Sequence, residues 1–413
     1  MNDEQSSISE AGRLRPQPVP YQWALRDYFK TEEPDLWKWF ASNRVREEHA
    51  DSVRLDLLKS TYRIEHDTLP ALYACADSLA DRLGVGAPVT FYQAQSVGEM
   101  NASLAFIPGD VHIILYGAVL KTLGPIELEA MLAHELSHFV LYDQWEGEFL
   151  VTSDVVRALA NDRTADGCHL QTARLLRLYE EIFADRGSLL ATGDIAATVS
   201  TLVKLHTGLA DVSAESYLRQ AEEIFARGSE ATRQLTHPEP YIRARALQLW
   251  AIRKEAAHDE IARMIEGPPA LDTLDLVGRK TVEHTTRRLI GRFLAAKWLC
   301  TDVLLAHARL FFEDFAVLET TSSDNAADRS LAAELEIADE ALRDYYCYVL
   351  LDFAAADRSL DELPLSAAIV LARTVGLGPR FGEIAPKELG LGKKRFVKIE
   401  SNAERRIAEA TGT

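Results

Sequence analysis

Apolar positions along this chain recur mostly at helical spacing. The stretch from Tyr21 to Ile64 mixes scattered aromatics with many charges and predicts helix. "LPALYACADSLADRLGV" (69–85) places apolar residues on one helical face and reaches Gly84, a C-terminal stop. "APVTFYQAQS" then alternates as a strand does. "NASLAFIPGDVHIILYGAVLKTL" (101–123) reads as two short strands joined by the turn signal "PGD". These segments predict one small sheet near residues 88–117.

Pro125, after Gly124, opens a helix that runs to about Tyr142, with Glu127 and Glu129 in its first turn, where the helix dipole favours acids. Leu128, Met131, Leu132, Leu136, Phe139, Val140 and Leu141 cover most of its circumference, the pattern of a central helix. Residues 143–169 are more polar and predict a loop or short helices. A strong second helix follows over 170–192, with further helices to about residue 264. Gly267, Pro268 and Pro269 mark a boundary, and the remainder is helical, broken by the polar "ETTSSDNAADRS" (319–330). The fold class expected is mainly α with a small β-sheet, followed by an all-α region.

Composition narrows the setting. A chain of 413 residues exceeds one ordinary core, so more than one domain is expected. The net charge of -18 argues against nucleic acid or anionic membrane surfaces as main partners. Cys75, Cys168, Cys300 and Cys347 form no C-x-x-C pair, which favours a reducing compartment. The first residues have no apolar core of the secretory kind and read as a polar, disordered tail over 1–20, with Pro16, Pro18 and Pro20 leading into the fold. The most apolar long stretch, 289–312, carries Arg292, Lys297, Asp302, His307 and Arg309. It is therefore expected to be a buried or amphipathic helix and not a membrane span. A cytoplasmic location is the expectation.

The central helix poses a chemical question, because "MLAHELSHFV" (131–140) sets three ionisable groups in an apolar run. Positions i and i+4 share one helical face, so His134 and His138 can direct two imidazoles at one metal ion. Glu135 stands beside them, able to accept a proton from a water on that metal. This is the zinc-peptidase arrangement, in which the metal polarises a carbonyl and the glutamate is general base. A catalytic zinc needs a third protein ligand and an open fourth position. The second helix offers "YEEIFADR", where Glu181 and Asp185 also share a face: one can ligate while the other orients a ligand histidine. The lone pair Cys168–His169 in "DGCH" reads as incidental.

"LEAMLAHELSHF" followed by "EEIFADRGSLLA" resembles the gluzincin zinc metallopeptidases of the HtpX and CAAX-prenyl-protease type, whose pattern is H-E-x-x-H and then E-x-x-A-D on a later helix. "NASLAF" (101–106) matches the family's N-A segment, and "THPEPYIRARAL" (236–247) its T-H-P segment with an arginine six residues after the histidine. The resemblance covers residues 55–255 and implies an α+β zincin-like domain holding one Zn2+ through His134, His138 and Glu181. It implies Glu135 as general base, Asp185 supporting a ligand histidine, and His237 and Arg243 near the site, one of them stabilising the oxyanion or holding Asp185. Asn101 and Ala102 would contact substrate. "DVHIILY" is expected as an edge strand that binds an unfolded or extended peptide by strand addition, with His112 structural. Well-known members are membrane enzymes, whereas no span is expected here.

The domain expectation is thus a tail over 1–20, a metallopeptidase domain with an N-terminal helical extension over 21–266, and a helical accessory domain over 267–413. Residues 342–377 resemble a helical tellurite-resistance TerB-like module, with an acidic turn "ADRSLDE" between helices. Asp357, Asp361 and Glu362 there read as helix caps and dipole partners ahead of a cation site. This region is expected to dock a protein partner or regulate. The function expected is a zinc-dependent endopeptidase. The alternative is a latent or non-catalytic zinc-containing scaffold that binds peptide and is regulated by its C-terminal domain.

Overall fold

The structure, a computed structural model, describes residues 8–9, 13–95, 100–227, 240–316 and 325–411. Two units divide after Gly267. The first begins with the short antiparallel pair β1 (Ile8–Ser9) and β2 (Arg13–Leu14). The expected tail over 1–20 lies partly outside the described residues. Where it is described, Pro16, Pro18 and Val19 are buried, so this part of the proline-rich segment is packed.

The helical stretch expected over 21–64 is divided into α1 (Pro20–Glu32), α2 (Pro34–Phe40) and α3 (Asn43–Ser60). Pro34 has no N–H to continue α1. Its last residues, "TYRI", form strand β3 (Thr61–Ile64), where β-branched and aromatic side chains suit a pleated surface. Helix α4 (Pro70–Leu83) stops where Gly84 takes the left-handed φ of 74°. Strands β4 (Val89–Ala94), β5 (Asn101–Ile107) and β6 (Asp110–Tyr116) complete a sheet of order β3-β4-β6-β5. The β4–β6 pair is parallel and the other two pairs are antiparallel.

This order corrects one expectation. "DVHIILY" is β6, an inner strand hydrogen-bonded to β4 and β5, with Val111, Ile113 and Leu115 fully buried. The tight turn at Pro108–Gly109 folds β5 back along β6, while β6 accepts β4 on its other side. The edge on that side therefore belongs to β5, the strand that carries Asn101 and Ala102, with β3 at the opposite edge.

After the short α5 (Val119–Thr122), α6 (Pro125–Asp143) crosses the core beneath the sheet. The side chain of Glu127 accepts the Gly124 N–H at 2.8 Å and fixes its start. Residues 143–169, expected as loop or short helices, hold a full helix, α7 (Glu148–Asn161), which buries Phe149, Val151, Val155 and Val156. Helix α8 (Gly167–Thr192) begins at the Asp166 cap, which accepts from Cys168 N and His169 N. Then come α9 (Ile195–Thr207), α10 (Ala214–Ala226), α11 (Pro240–Arg253) and α12 (His258–Glu266).

The second unit is all helical: α13 (Leu276–Phe293), α14 (Asp302–Phe311), α15 (Asn325–Glu336), α16 (Glu340–Ala356), α17 (Leu363–Thr374), α18 (Gly378–Glu388), α19 (Lys393–Ser401) and α20 (Ala403–Thr411). Its core gathers Leu289, Phe293, Leu350, Phe353, Ile369 and Phe381. The apolar run 289–312 is divided between α13 and α14, because Thr301 caps a new helix by accepting from Leu304 N. Of the polar stretch 319–330, residues 319–324 lie outside the described residues and the rest opens α15. Asp357 accepts from Ser359 and from Thr301 Oγ1, and Glu362 pairs with Arg395 and Arg406. Among the described residues, no helix is long and apolar enough to cross a membrane.

What positions the site is the close approach of α6 and α8. A Cβ on Gly187 of α8 would stand 1.9 Å from Ser137 Oγ and 2.6 Å from Ser137 Cβ of α6, both far inside contact distance. Only glycine lets the helices meet at this spacing. Ser137 is fully buried and bonds back to the Ala133 carbonyl at 2.6 Å. Gly187→Ala is therefore expected to overpack the helix pair and cost about 1–3 kcal/mol of stability. Ser137→Gly in the same chain should restore most of that loss, as read from chemical denaturation midpoints.

Candidate metal centre

Helical periodicity brings the first two candidates together, and α8 supplies the third. His134 and His138 turn their Nε2 atoms toward each other at 3.2 Å on α6. Glu181 faces both, with carboxylate oxygens 3.4 Å from His134 Nε2 and 3.8 Å from His138 Nε2. Among the described residues, this is the group of histidine, cysteine or carboxylate side chains able to hold a metal, its donor atoms all within 4.8 Å of one another.

The donor set fits a metal. Ligands about 2.0–2.1 Å from a tetrahedral ion stand about 3.3 Å apart, close to the separations found. Three lone-pair atoms facing one point repel unless a cation or a proton lies between them. Burial opposes a charged His134, but hydrogen bonds to Asp185 and Glu181 outweigh burial and raise its pKa to about 10. His138 moves the other way, to about 4, through burial and the nearby charge of His134.

A layer of charge behind these groups holds them. Asp185 Oδ1 lies 3.1 Å from His134 Nδ1, so the carboxylate fixes the ring with Nε2 toward Glu181. Arg243 of α11 then binds both acids. Its Nε and Nη2 reach the Asp185 oxygens at 2.8 and 2.7 Å, and its Nη1 reaches Glu181 at 2.8 Å. Burial works against an ionised Asp185, but the Arg243 charge overrides it and holds the carboxyl down to about 2. Glu181 is likewise held well below the usual carboxylate range.

Glu135 differs. It is 5% exposed, and burial pushes its pKa up to about 7. It accepts a hydrogen bond from the backbone of Leu104 on β5, so the sheet edge and the helix share this carboxylate. Its neighbour in the cleft, Glu180, is also raised to about 7 by burial and is bonded by Ser153 and Tyr142.

These groups line a cleft of about 1050 Å³. Asn101, Ala102, Ser103 and Leu104 of β5 form one wall, α6, α8 and, through Arg243, α11 supply charged groups, and α9 contributes Leu202, Leu205 and His206. Of the residues singled out from the sequence, His134, Glu135, His138, Glu181, Asp185, Arg243, Asn101 and Ala102 all border this cleft. His237 and its T-H-P segment lie outside the described residues. His112 lies elsewhere, 3.1 Å from the Tyr92 hydroxyl. Cys168 and His169 sit at the start of α8, at the Asp166 cap. The contribution of α9 had no signal in the sequence: "VKLHTG" reads as an ordinary helix end with basic residues in its last turn.

Residues 70–251 match the family model described as Peptidase family M48. Two curated relatives align with the chain. One is the Plastoglobule-localized metallopeptidase 48, chloroplastic, of Arabidopsis thaliana, 28% identical over 216 residues, 48% of this chain and 61% of the relative. The other is Protease HtpX homolog 1 of Streptomyces coelicolor, 27% identical over 196 residues, 40% of this chain and 62% of the relative. The chain thus spans about three fifths of the length of these curated relatives.

The buried charge lattice generates a stability prediction. Arg243→Leu leaves Asp185 and Glu181 buried without their countercharge, and breaking a buried pair from one side costs about 3–5 kcal/mol. Arg243→Lys keeps the charge but loses the two-pronged geometry and should fall between. Urea unfolding of the three proteins in chelator-treated buffer is the measurement.

Proposed function

Taking residues 70–251 as a domain of peptidase family M48, we propose that the chain is a zinc-dependent endopeptidase acting on extended peptide or protein substrate. The observation that carries this reading is the convergence of His134, His138 and Glu181 within 4.8 Å, with the Glu135 carboxylate buried on the adjoining turn.

His134, His138 and Glu181 would hold one Zn2+, which when bound supplies Lewis acidity to a peptide carbonyl and to water. The chain's own residues do the rest. Asp185 accepts the Nδ1 hydrogen of His134 and keeps Nε2 free as a ligand. Arg243 offsets the charge of the two acids so that Glu181 stays ionised inside the fold. Glu135 takes a proton from the attacking water at one carboxylate oxygen and returns it to the departing nitrogen. Its raised pKa suits a group that must both accept and release a proton near neutral pH. The Leu104 N–H fixes the position from which it does so. Asn101 and Ala102, on the edge strand β5 where the Ala102 N–H donates to Asn101 Oδ1 at 2.9 Å, would meet substrate main chain by strand addition.

Metal content and cleavage of an unfolded protein test this reading together. The wild-type chain should carry about one zinc and cut the substrate, and His134→Ala should lose both. Glu135→Gln should keep the metal and reduce kcat by at least about a hundredfold. A Glu135→Gln protein that still cuts in a metal-dependent way would remove Glu135 from the reaction. Zinc-free protein that takes up no zinc would remove the metal.

A further inference from the structure

An extended peptide presents main-chain hydrogen-bonding groups along both of its edges. In this cleft β5 can meet one edge only. Helix α9 lines the same cleft, and α6, which carries the two histidines, packs against both β5 and α9. There the apolar Leu202 and Leu205 give way to His206 in the last turn of α9.

His206 is exposed, and its Nδ1 lies 2.9 Å from the Leu202 carbonyl oxygen one turn earlier. A carbonyl only accepts, so Nδ1 carries the hydrogen and donates it. In the neutral ring that leaves Nε2 as an acceptor, and it makes no hydrogen bond among the described residues. We infer that His206 Nε2 accepts a hydrogen bond from a main-chain N–H of the extended substrate, on the edge turned away from β5. The residue is thereby a substrate-positioning group. With its one hydrogen committed to Leu202, the neutral ring has none to offer a developing oxyanion, so its effect falls on binding and not on the chemical step. This inference rests on the peptide-cleft reading given above.

The test measures binding of fluorescein-labelled casein, an unfolded protein, to the zinc-loaded full chain carrying Glu135→Gln, by fluorescence anisotropy. Adding His206→Phe keeps a ring but removes the acceptor, and should weaken binding by about three- to tenfold, the worth of one neutral hydrogen bond. His206→Gln sets a carbonyl oxygen near the place of Nε2 and should stay within about twofold of the histidine protein. In the chain with Glu135 intact, His206→Phe should raise KM by the same factor and leave kcat unchanged. Equal binding by the phenylalanine variant, or equal weakening by glutamine and phenylalanine, overturns the inference. Casein that binds but is not cut by the wild-type chain defeats the peptidase reading alone, and the effect of His206 on binding still decides its role. Casein that neither binds nor is cut overturns both.

Discussion

Everything at the centre depends on how buried charges are compensated between α6, α8 and α11. Two acids, a histidine pair and an arginine lie where an isolated charge would cost several kcal/mol. Arg243 makes this tolerable by holding Asp185 with two hydrogen bonds and Glu181 with a third contact. Asp185 in turn orients His134, and His134 faces His138 and Glu181. The order of dependence runs from the arginine inward. Arg243, through its contacts with Asp185 and Glu181, therefore controls the shape of the group.

That lattice can form only because the helix backbones come close. Gly187 and Ser137 meet at the crossing of α6 and α8, two residues beyond Asp185 on α8 and between the two histidines on α6. A larger residue would separate the helices near the point where Glu181 must reach the histidines. The conformational cost of glycine within a helix, about 1 kcal/mol, is offset by that approach. Ser188, the next residue, adds a bond of 2.8 Å to the Ala130 carbonyl and ties the two helices again. Packing and electrostatics thus share one requirement, the spacing of these two helices.

Local signals carried much of this. The helix opened by Pro125, the Gly84 stop and the shared face of His134 and His138 all follow from periodicity and backbone chemistry within a few residues. The third donor was narrowed to Glu181 or Asp185 by spacing alone, and only the resemblance chose between them. What stayed illegible was non-local. "DVHIILY" and "NASLAFI" each carry five apolar residues in seven, so either could be edge or centre, because strand order depends on which partner arrives at each side. Here β4 pairs with β6 and leaves β5 outermost. Helix α7 was hidden because polar flanks outweighed its buried face in a linear reading.

The change in edge strand alters what the site can do. Had β6 been outermost, an added substrate strand would have met a wall with no direct tie to Glu135. With β5 outermost, the strand that would receive substrate is the one whose Leu104 N–H already bonds the Glu135 carboxylate. Substrate laid along β5 would press on the same backbone that sets the position of Glu135. On the function proposed above, docking and proton transfer would be coupled through one strand. The low exposure of Glu135 strengthens the coupling, since a carboxylate removed from water responds more to each neighbour it gains or loses.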